Sequence, residues 1–176
     1  EYCSVEMENV FKDLGYERKE TSVAMVLQLN NLVLKNQDSL NETIEIKENN
    51  GHLDQWMVPL IAAFNSTFNV AEQYAKTHEQ ALKKNVRLHH FSLYQNNKPI
   101  TSMTLSLNNK IARIDDVGTL PEFQGRGYAT QLMQHALIEA KKLGASHCFL
   151  EASESGLSIY QQLGFKPLFK NHIYAR

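Results

Sequence analysis

The chain has 176 residues, 43% of them hydrophobic, and a formal net charge of −1. That length suits one domain, or one domain with an appendage, and the near-neutral charge gives no electrostatic reason for a nucleic-acid partner, so a small molecule is expected instead. Two cysteines, Cys3 and Cys148, are too few for the disulfide framework of small secreted domains and fit a reducing, cytoplasmic setting. The longest apolar stretch, Met57 to Phe64, falls far short of the roughly 20 residues that span a bilayer, so no membrane segment is expected. No signal-peptide pattern is visible. The first residue is Glu1 and not methionine, which reads as a trimmed chain or a piece of a longer one, with upstream targeting left open.

Taken in order, Met7, Val10, Phe11 and Leu14 give a short helical face, and Val23 to Leu29 is an apolar run of strand length. Asn30 to Asn41 is polar at its flanks and reads as a linker. It divides an N-terminal extension, residues 1–40, from a main domain, residues 41–176. Leu53 to Phe64 and Val70 to Lys84 predict two helices with Trp56, Leu60, Ala63 and Tyr74, Ala81, Leu82 on their apolar faces. Val86 to Tyr94 and Ile100 to Leu107 are strand-like and flank the polar cluster Gln95-Asn96-Asn97-Lys98-Pro99, which predicts a hairpin. Asn108-Asn109 turns into a third strand, Ile111 to Leu120. The expected class is α+β, with a mixed, mostly antiparallel sheet flanked by helices.

The third strand runs into V-G-T-L-P-E-F-Q-G-R-G-Y-A, residues 117–129. Gly125 and Gly127 can take backbone angles closed to other residues and let a ligand reach the main chain. The first amides of the helix that follows are unpaired and lie at the positive end of its dipole, so the junction predicts a cradle for an anion such as a pyrophosphate. That helix carries Ala129, Leu132, Met133, Ala136, Leu137, Ala140 and Leu143 on one face, with Lys141 and Lys142 in its last turn and Gly144 as its stop. Cys148-Phe149-Leu150 is a short strand, and Ser153-Glu154-Ser155 can cap a further helix that ends at Leu163 and Gly164.

With this element order, Gln124-x-x-Gly127-x-Ala129 opening the long helix and Tyr160-x-x-x-Gly164-Phe165 near the end make the chain resemble the GNAT acetyltransferase superfamily over about residues 44–176. The first motif fits the family's Arg/Gln-x-x-Gly-x-Gly/Ala pattern and the second its Tyr-x-x-x-Gly-Phe ending. The resemblance implies the GNAT acyl-CoA N-acyltransferase fold and transfer of an acetyl group from acetyl-CoA to a primary amine. The family often has an asparagine seven residues before the tyrosine, facing the cofactor; Ser153 stands there, with a shorter reach.

Acyl transfer needs a held thioester, a polarised carbonyl, a deprotonated nucleophile and a proton for the departing thiolate. The pyrophosphate of coenzyme A is expected on the amides of Gln124, Gly125, Arg126, Gly127, Tyr128, Ala129 and Thr130, with Arg126 adding charge. The pantetheine arm carries amides and can pair with the strand edge at Val117, Gly118 and Thr119 as an added strand would. A glycine inside a strand pattern marks a bulge or a close approach, and in the GNAT fold a bulge here opens the slot. A main-chain N–H near Val117 is then the candidate to polarise the thioester oxygen. Tyr160 is the candidate general acid, since a phenol with a pKa of about 10 stays protonated at neutral pH. For the base, Asp115 and Asp116 lie on the strand leading to the cradle, where alternation sends one toward the acceptor cleft and the other away. Asp115 shares its face with Val117 and Thr119 and is the preferred one, and family members can carry a catalytic carboxylate on this strand. Glu151, His89 and His90 are the other candidates, and a water chain with no dedicated base is a further option.

No metal site is expected: the histidines are scattered, and His89 and His90 fall on opposite faces of a strand. No serine sits in a G-x-S-x-G elbow. The acceptor, a small-molecule amine or a peptide, is not legible, because the early helices that shape acceptor pockets in this fold, here about Trp56 to Phe68, carry no motif; a homodimer is left open. A non-catalytic coenzyme A sensor or structural domain, and a cradle for another phosphate ligand such as a nucleotide, stand as alternatives. Finally, Phe11-Lys12-Asp13-Leu14-Gly15-Tyr16 repeats the pattern of Tyr160-Gln161-Gln162-Leu163-Gly164-Phe165. Residues 1 to about 30 read either as the closing helix and strand of a degenerate upstream unit of the same fold, with Phe11 in place of the phenol, or as an ordinary N-terminal extension with a chance likeness over six residues. In the first case Val23 to Leu29 should pair with a sheet edge.

Overall fold

The structure, a computed structural model, describes residues 5–32, 44–154 and 156–176. Cys3, Ser155 and most of the expected linker, including its boundary at residue 40, lie outside them. The chain forms two compact units, residues 28–148 and residues 1–27 with 149–176.

In the larger unit, β2 (Ile44–Glu48), β3 (Leu88–Gln95), β4 (Lys98–Asn108) and β5 (Ile111–Thr119) pair in that order, each antiparallel to the next. The hairpin and meander expected from sequence are present. Asn96 and Asn97 both take positive φ (49° and 63°), the conformation of the two-residue turn whose twist matches the strands. This lets Pro99 join β4, opposite Tyr94. β2 was not anticipated: Ile44-Glu45-Ile46-Lys47-Glu48 is short and half charged, and its strand state comes from pairing with β3.

Helices α2 (Leu53–Ala63) and α3 (Phe68–Lys83) cover one face of this sheet and α4 (Tyr128–Lys142) the other. The register assigns the faces. His90 and Thr104 are partners on the face that carries α3, where His90 meets His78; Phe91 and Met103 are partners on the opposite face, where Phe91 meets His135 of α4. Sandwiched between them, β4 is buried over most of its length. Its neighbours Trp56, Leu93, Ile114, Leu132, Met133 and Leu137 are all essentially inaccessible. Residues that alternation would send to solvent are buried too, so they bond to one another: Asn49 donates to Ser92, Ser92 meets Ser102, and Tyr94 donates to Asn49.

The smaller unit holds α1 (Val5–Asp13), β1 (Glu17–Gln28), the end of β6 (His147–Ser153), α5 (Leu157–Gln162) and β7 (Lys166–Ala175). Its strands lie in the order β6-β1-β7, with β1 and β7 antiparallel. β1 begins six residues before the apolar run that announced it, because Glu17 to Ser22 pair with β7 without being drawn there by hydrophobicity. β7 gave no sequence signal, as Lys166, Lys170, Asn171 and His172 break any alternation. The class is α+β with mostly antiparallel strands, as expected.

Candidate active site

Between β5 and α4 the chain makes a short 3-10 turn, Pro121–Phe123, and then an exposed loop. Gly125 and Gly127 have φ of +72° and +80°, and a β-carbon added at either would meet no atom within 4 Å. The backbone there is bare and open on its outer side. Gly127 is also the N-cap of α4, and no side chain caps this helix, so its first amides lack the partner that Thr67 supplies to α3. At the 3-10 turn, Arg126 and Lys98 lie 5.6 and 5.4 Å from the centre of the Phe123 ring, and Lys98 pairs with Glu122 at 2.9 Å. Gln124 donates through Nε2 to the carbonyl of Thr119 at 3.1 Å and ties the loop to β5. One turn into α4, the Oε1 of Gln131 is buried with no hydrogen-bond partner among the described residues. A buried acceptor left unpaired is costly. The open glycines and the bare first turn of α4 fit an anion such as a pyrophosphate.

The strand before the cradle is bulged where Gly118 predicted irregularity. Ser102 pairs with Gly118 and Thr104 with Asp115, so Asp116 and Val117 together stand opposite Met103. Asp116 takes a φ of +57°. The extra residue changes the phase of the strand. Alternation predicted Asp115 on one face with Val117 and Thr119; the register instead puts Asp115 on the face of Gly118, since their partners Thr104 and Ser102 are two residues apart on β4. That face carries α2: a β-carbon on Gly118 would stand 2.9 Å from both Ala63 Cβ and Leu60 Cδ2. Thr101 donates to the carbonyl of Gly118 and receives a bond from Thr119.

Both aspartates bear on α3. The Nε of Arg113 donates to both oxygens of Asp115 at 2.9 Å. Asp116 accepts from the hydroxyls of Tyr74 and Thr104, at 3.0 and 2.8 Å. Burial and the charge of Asp116 together raise the pKa of Tyr74 well above that of a free phenol. Beside it, His78 packs at 4.5 Å from the Tyr74 ring and 5.1 Å from Trp56. Burial lowers the pKa of His78, against the opposing pull of Asp116 and Asp115.

The protons of the His78–His90 pair follow from its neighbours. Asn50 spends its amide group on Glu48 and on the carbonyl of Leu88, so its Oδ1 is the acceptor facing the N–H and Nδ1 of His90. His90 thus carries its proton on Nδ1, and its Nε2 accepts from Nδ1 of His78 at 2.7 Å. Neutral His78 is left with a lone pair on Nε2. His90 is fully buried, and desolvation, joined by His78 and His89, lowers its pKa to about 3. An unfolded histidine titrates near 6.5, so below that pH the unfolded chain takes up the proton that folded His90 refuses. Stability should be full above pH 6.5 and fall as pH drops toward 3, by at most about 1.4 kcal/mol per pH unit from this residue. Urea unfolding at pH 7 and pH 5 should show a shallower acid loss for His90→Gln than for the parent; equal losses would refute the assignment.

Tyr160 and Ser153 belong to the other unit. Tyr160 lies in α5, its ring edge-on to Phe165 at 6.2 Å and close over Gly156, where a β-carbon would come within 3.0 Å of the ring. Its hydroxyl bonds to no described residue, and burial raises its pKa. Ser153 accepts through Oγ from the amide of Gly156 at 3.3 Å. It also lines an open cavity of about 590 Å³ with Arg18, Lys19, Glu20, Thr21 and Glu154. Glu151 accepts from Ser22 at 3.2 Å.

The structure thus places Asp115, Val117, Gly118, Thr119 and the segment from Gln124 to Thr130, whose last three residues open α4, in one unit, and Ser153, Glu151 and Tyr160 in the other. His89 pairs with Glu48 at 2.8 Å, outside the His78–Asp116 cluster. The sequence did not single out Tyr74 or His78 for this cluster, and alternation set Asp116 aside in favour of Asp115. The helical spacing of Tyr74 and His78 was a usable signal, because residues four apart share one face; for Asp116 alternation pointed the wrong way, because only the bulge turns it toward them.

The sequence model described as the acetyltransferase (GNAT) family matches residues 53–165. No curated protein matches the chain. Among solved structures, a GCN5-related N-acetyltransferase from Sphaerobacter thermophilus superposes with a TM-score of 0.75 at 16% identity, over 97% of this chain and 56% of that one. A GCN5-related N-acetyltransferase from Kribbella flavida gives 0.68 at 12% identity, over 97% and 63%. A tandem GNAT protein from the clavulanic acid biosynthesis pathway gives 0.69 at 14% identity, over 95% and 56%. The chain thus spans a little over half the length of each of these structures, and at such identities the likeness is one of fold.

Proposed function

The chain belongs to the acetyltransferase (GNAT) family, and from that premise we propose that it transfers an acetyl group from acetyl-CoA to a primary amine by direct attack on the thioester. The observation that carries this reading is the bulge at Asp116 and Val117 leading into an uncapped helix behind two positive-φ glycines. In this reading the amides of Gln124 to Thr130 hold the pyrophosphate, and the edge at Val117 to Thr119 takes the pantetheine amides. The N–H of Val117 faces the thioester oxygen. Ser153 contributes a shorter-reaching polar contact.

The protons are assigned by environment. Tyr160, whose raised pKa keeps it protonated through the working range, gives its proton to the departing thiolate. Asp115 is the proposed base for the acceptor ammonium, with Asp116 adding negative charge on the same side and neutral His78 a second proton acceptor beside them. Paired carboxylates beside Tyr74 suit a cationic amine, carried by a small molecule or a peptide. No described helix is long and apolar enough to cross a membrane. A cytoplasmic setting belongs to the proposal, supported by the presence of only two cysteines, Cys3 and Cys148, in the whole chain.

Isothermal titration with acetyl-CoA, paired with thiol release across an amine panel, tests the reading. Saturable binding with amine-dependent thiol release is expected. Binding without turnover on any amine would favour a coenzyme A sensor or structural domain; nucleotide binding in place of coenzyme A would favour the third reading.

A further inference from the structure

The repeat in the sequence is matched by a repeat in structure. α1 and β1 correspond to α5 and β7 at one constant offset, Phe11 to Tyr160, Lys19 to Leu168 and Ser22 to Asn171. The helix endings are the same bond for bond. Leu14, Gly15 and Tyr16 donate to the carbonyls of Val10, Lys12 and Phe11; Leu163, Gly164 and Phe165 donate to those of Ile159, Gln161 and Tyr160. Gly15 and Gly164 both have positive φ, +79° and +95°. The rings agree as well: Phe11 and Tyr16 stand 6.2 Å apart at 68°, Tyr160 and Phe165 6.2 Å apart at 69°.

The two strands then pair about a local two-fold axis. Ser22 faces Asn171, its own equivalent, and every other pair has an image: Glu17–Ala175 with Val26–Lys166, Arg18–Tyr174 with Met25–Pro167, Thr21–His172 with Val23–Lys170. Both register shifts obey the axis, since the residues they leave unpaired, Lys19 and Leu168, are equivalents. A chance extension that happened to reach a sheet edge has no reason to reproduce a bulge at the symmetric position. Such self-complementary pairing is the mark of an isologous contact between two copies of one structure.

We infer that α1 and β1 are the closing unit of a second copy of this fold, and that the outer edge of β7 is the docking surface for that copy's equivalent of β6. The axis dictates the occupant. β6 lies beside β1, and Ser22 of β1 bonds Glu151 of β6; rotation about the axis carries β6 to the far edge of β7, which is the last strand in the order. As the last strand it presents its outward backbone groups to a further strand, and Leu168, Phe169 and Ile173 on it are about half exposed. Phe11 at the position of Tyr160 means that the copy owning this closing unit has no phenol there, a corollary that rests on the proposed role of Tyr160.

Hydrogen exchange on the full chain tests the docking edge. A synthetic peptide of residues 146–154, with Cys148→Ser, should slow exchange of the β7 amides that do not bond β1, by about tenfold at ten times its Kd, and a scrambled peptide should not. No slowing at millimolar peptide, or equal slowing by both peptides, would overturn the inference. The axis has its own check, independent of peptide affinity. Ser22→Cys with Asn171→Cys should form an intrachain disulfide on mild oxidation, and Ser22→Cys with His172→Cys should form little; the reverse order would remove the axis.

Discussion

Replacing Tyr160 with phenylalanine is expected to lower turnover by about 10²–10⁴-fold, the range that positioned proton donors contribute, and to leave acetyl-CoA affinity nearly unchanged. The phenol matters when charge develops on the departing sulfur, so its loss falls on kcat and not on binding. Stability should be unaffected, because the hydroxyl bonds to no described residue and the ring contact with Phe165 survives. Burial holds the proton on more tightly than in a free phenol, so the alkaline fall in the parent's rate should lie above the usual value of about 10. Titration calorimetry and steady-state thiol release on parent and variant check both parts. An unaltered rate would remove Tyr160 from the chemistry.

Gly118→Ala is expected to be the most damaging single methyl in the larger unit. Its β-carbon would lie 2.9 Å from Ala63 and from Leu60, both on α2, and 3.4 Å from the Leu60 backbone. Leu60 is buried and α2 is anchored through Trp56, whose Nε1 donates to the carbonyl of Met103, so the helix has no cheap way to retreat. Overpacking of this kind costs about 1–3 kcal/mol, and at roughly 2–4 °C per kcal/mol for a chain of this size the melting temperature should drop several degrees. Leu60→Val shortens the clashing branch and should recover part of the loss. If the two substitutions were additive, the clash would not be the cause.

The two glycine effects differ in kind, and the sequence distinguished them only in part. Gly125 and Gly127 were legible as a special backbone, a tight turn or an anion cradle, because the pair joins a strand to a long amphipathic helix. Both take positive φ with open surroundings, as either use requires. Gly118 was legible as an irregularity, but the contact that demands a glycine is with α2, far away in the chain. The same limit explains Asp115. Its position before the cradle was plain, yet its face depended on how many residues of β5 stand opposite Met103, which alternation cannot count.

What the sequence determined by itself is local. Helical periodicity marked α2, α3 and α4, asparagine pairs marked the turns, and two motifs at a fixed separation identified the family, because each depends on residues close together along the chain. The echo of residues 160–165 in residues 11–16 was likewise visible there. Only the tertiary structure decided the rest. β2 and β7 are strands through their partners and not their composition, and the tautomers of His78 and His90 are set by Asn50, on another segment. The two-fold seam of β1 and β7 appears only once register and bulges are known. In each case the deciding interaction joins residues far apart in sequence, and its energy comes from burial and pairing that no local pattern encodes.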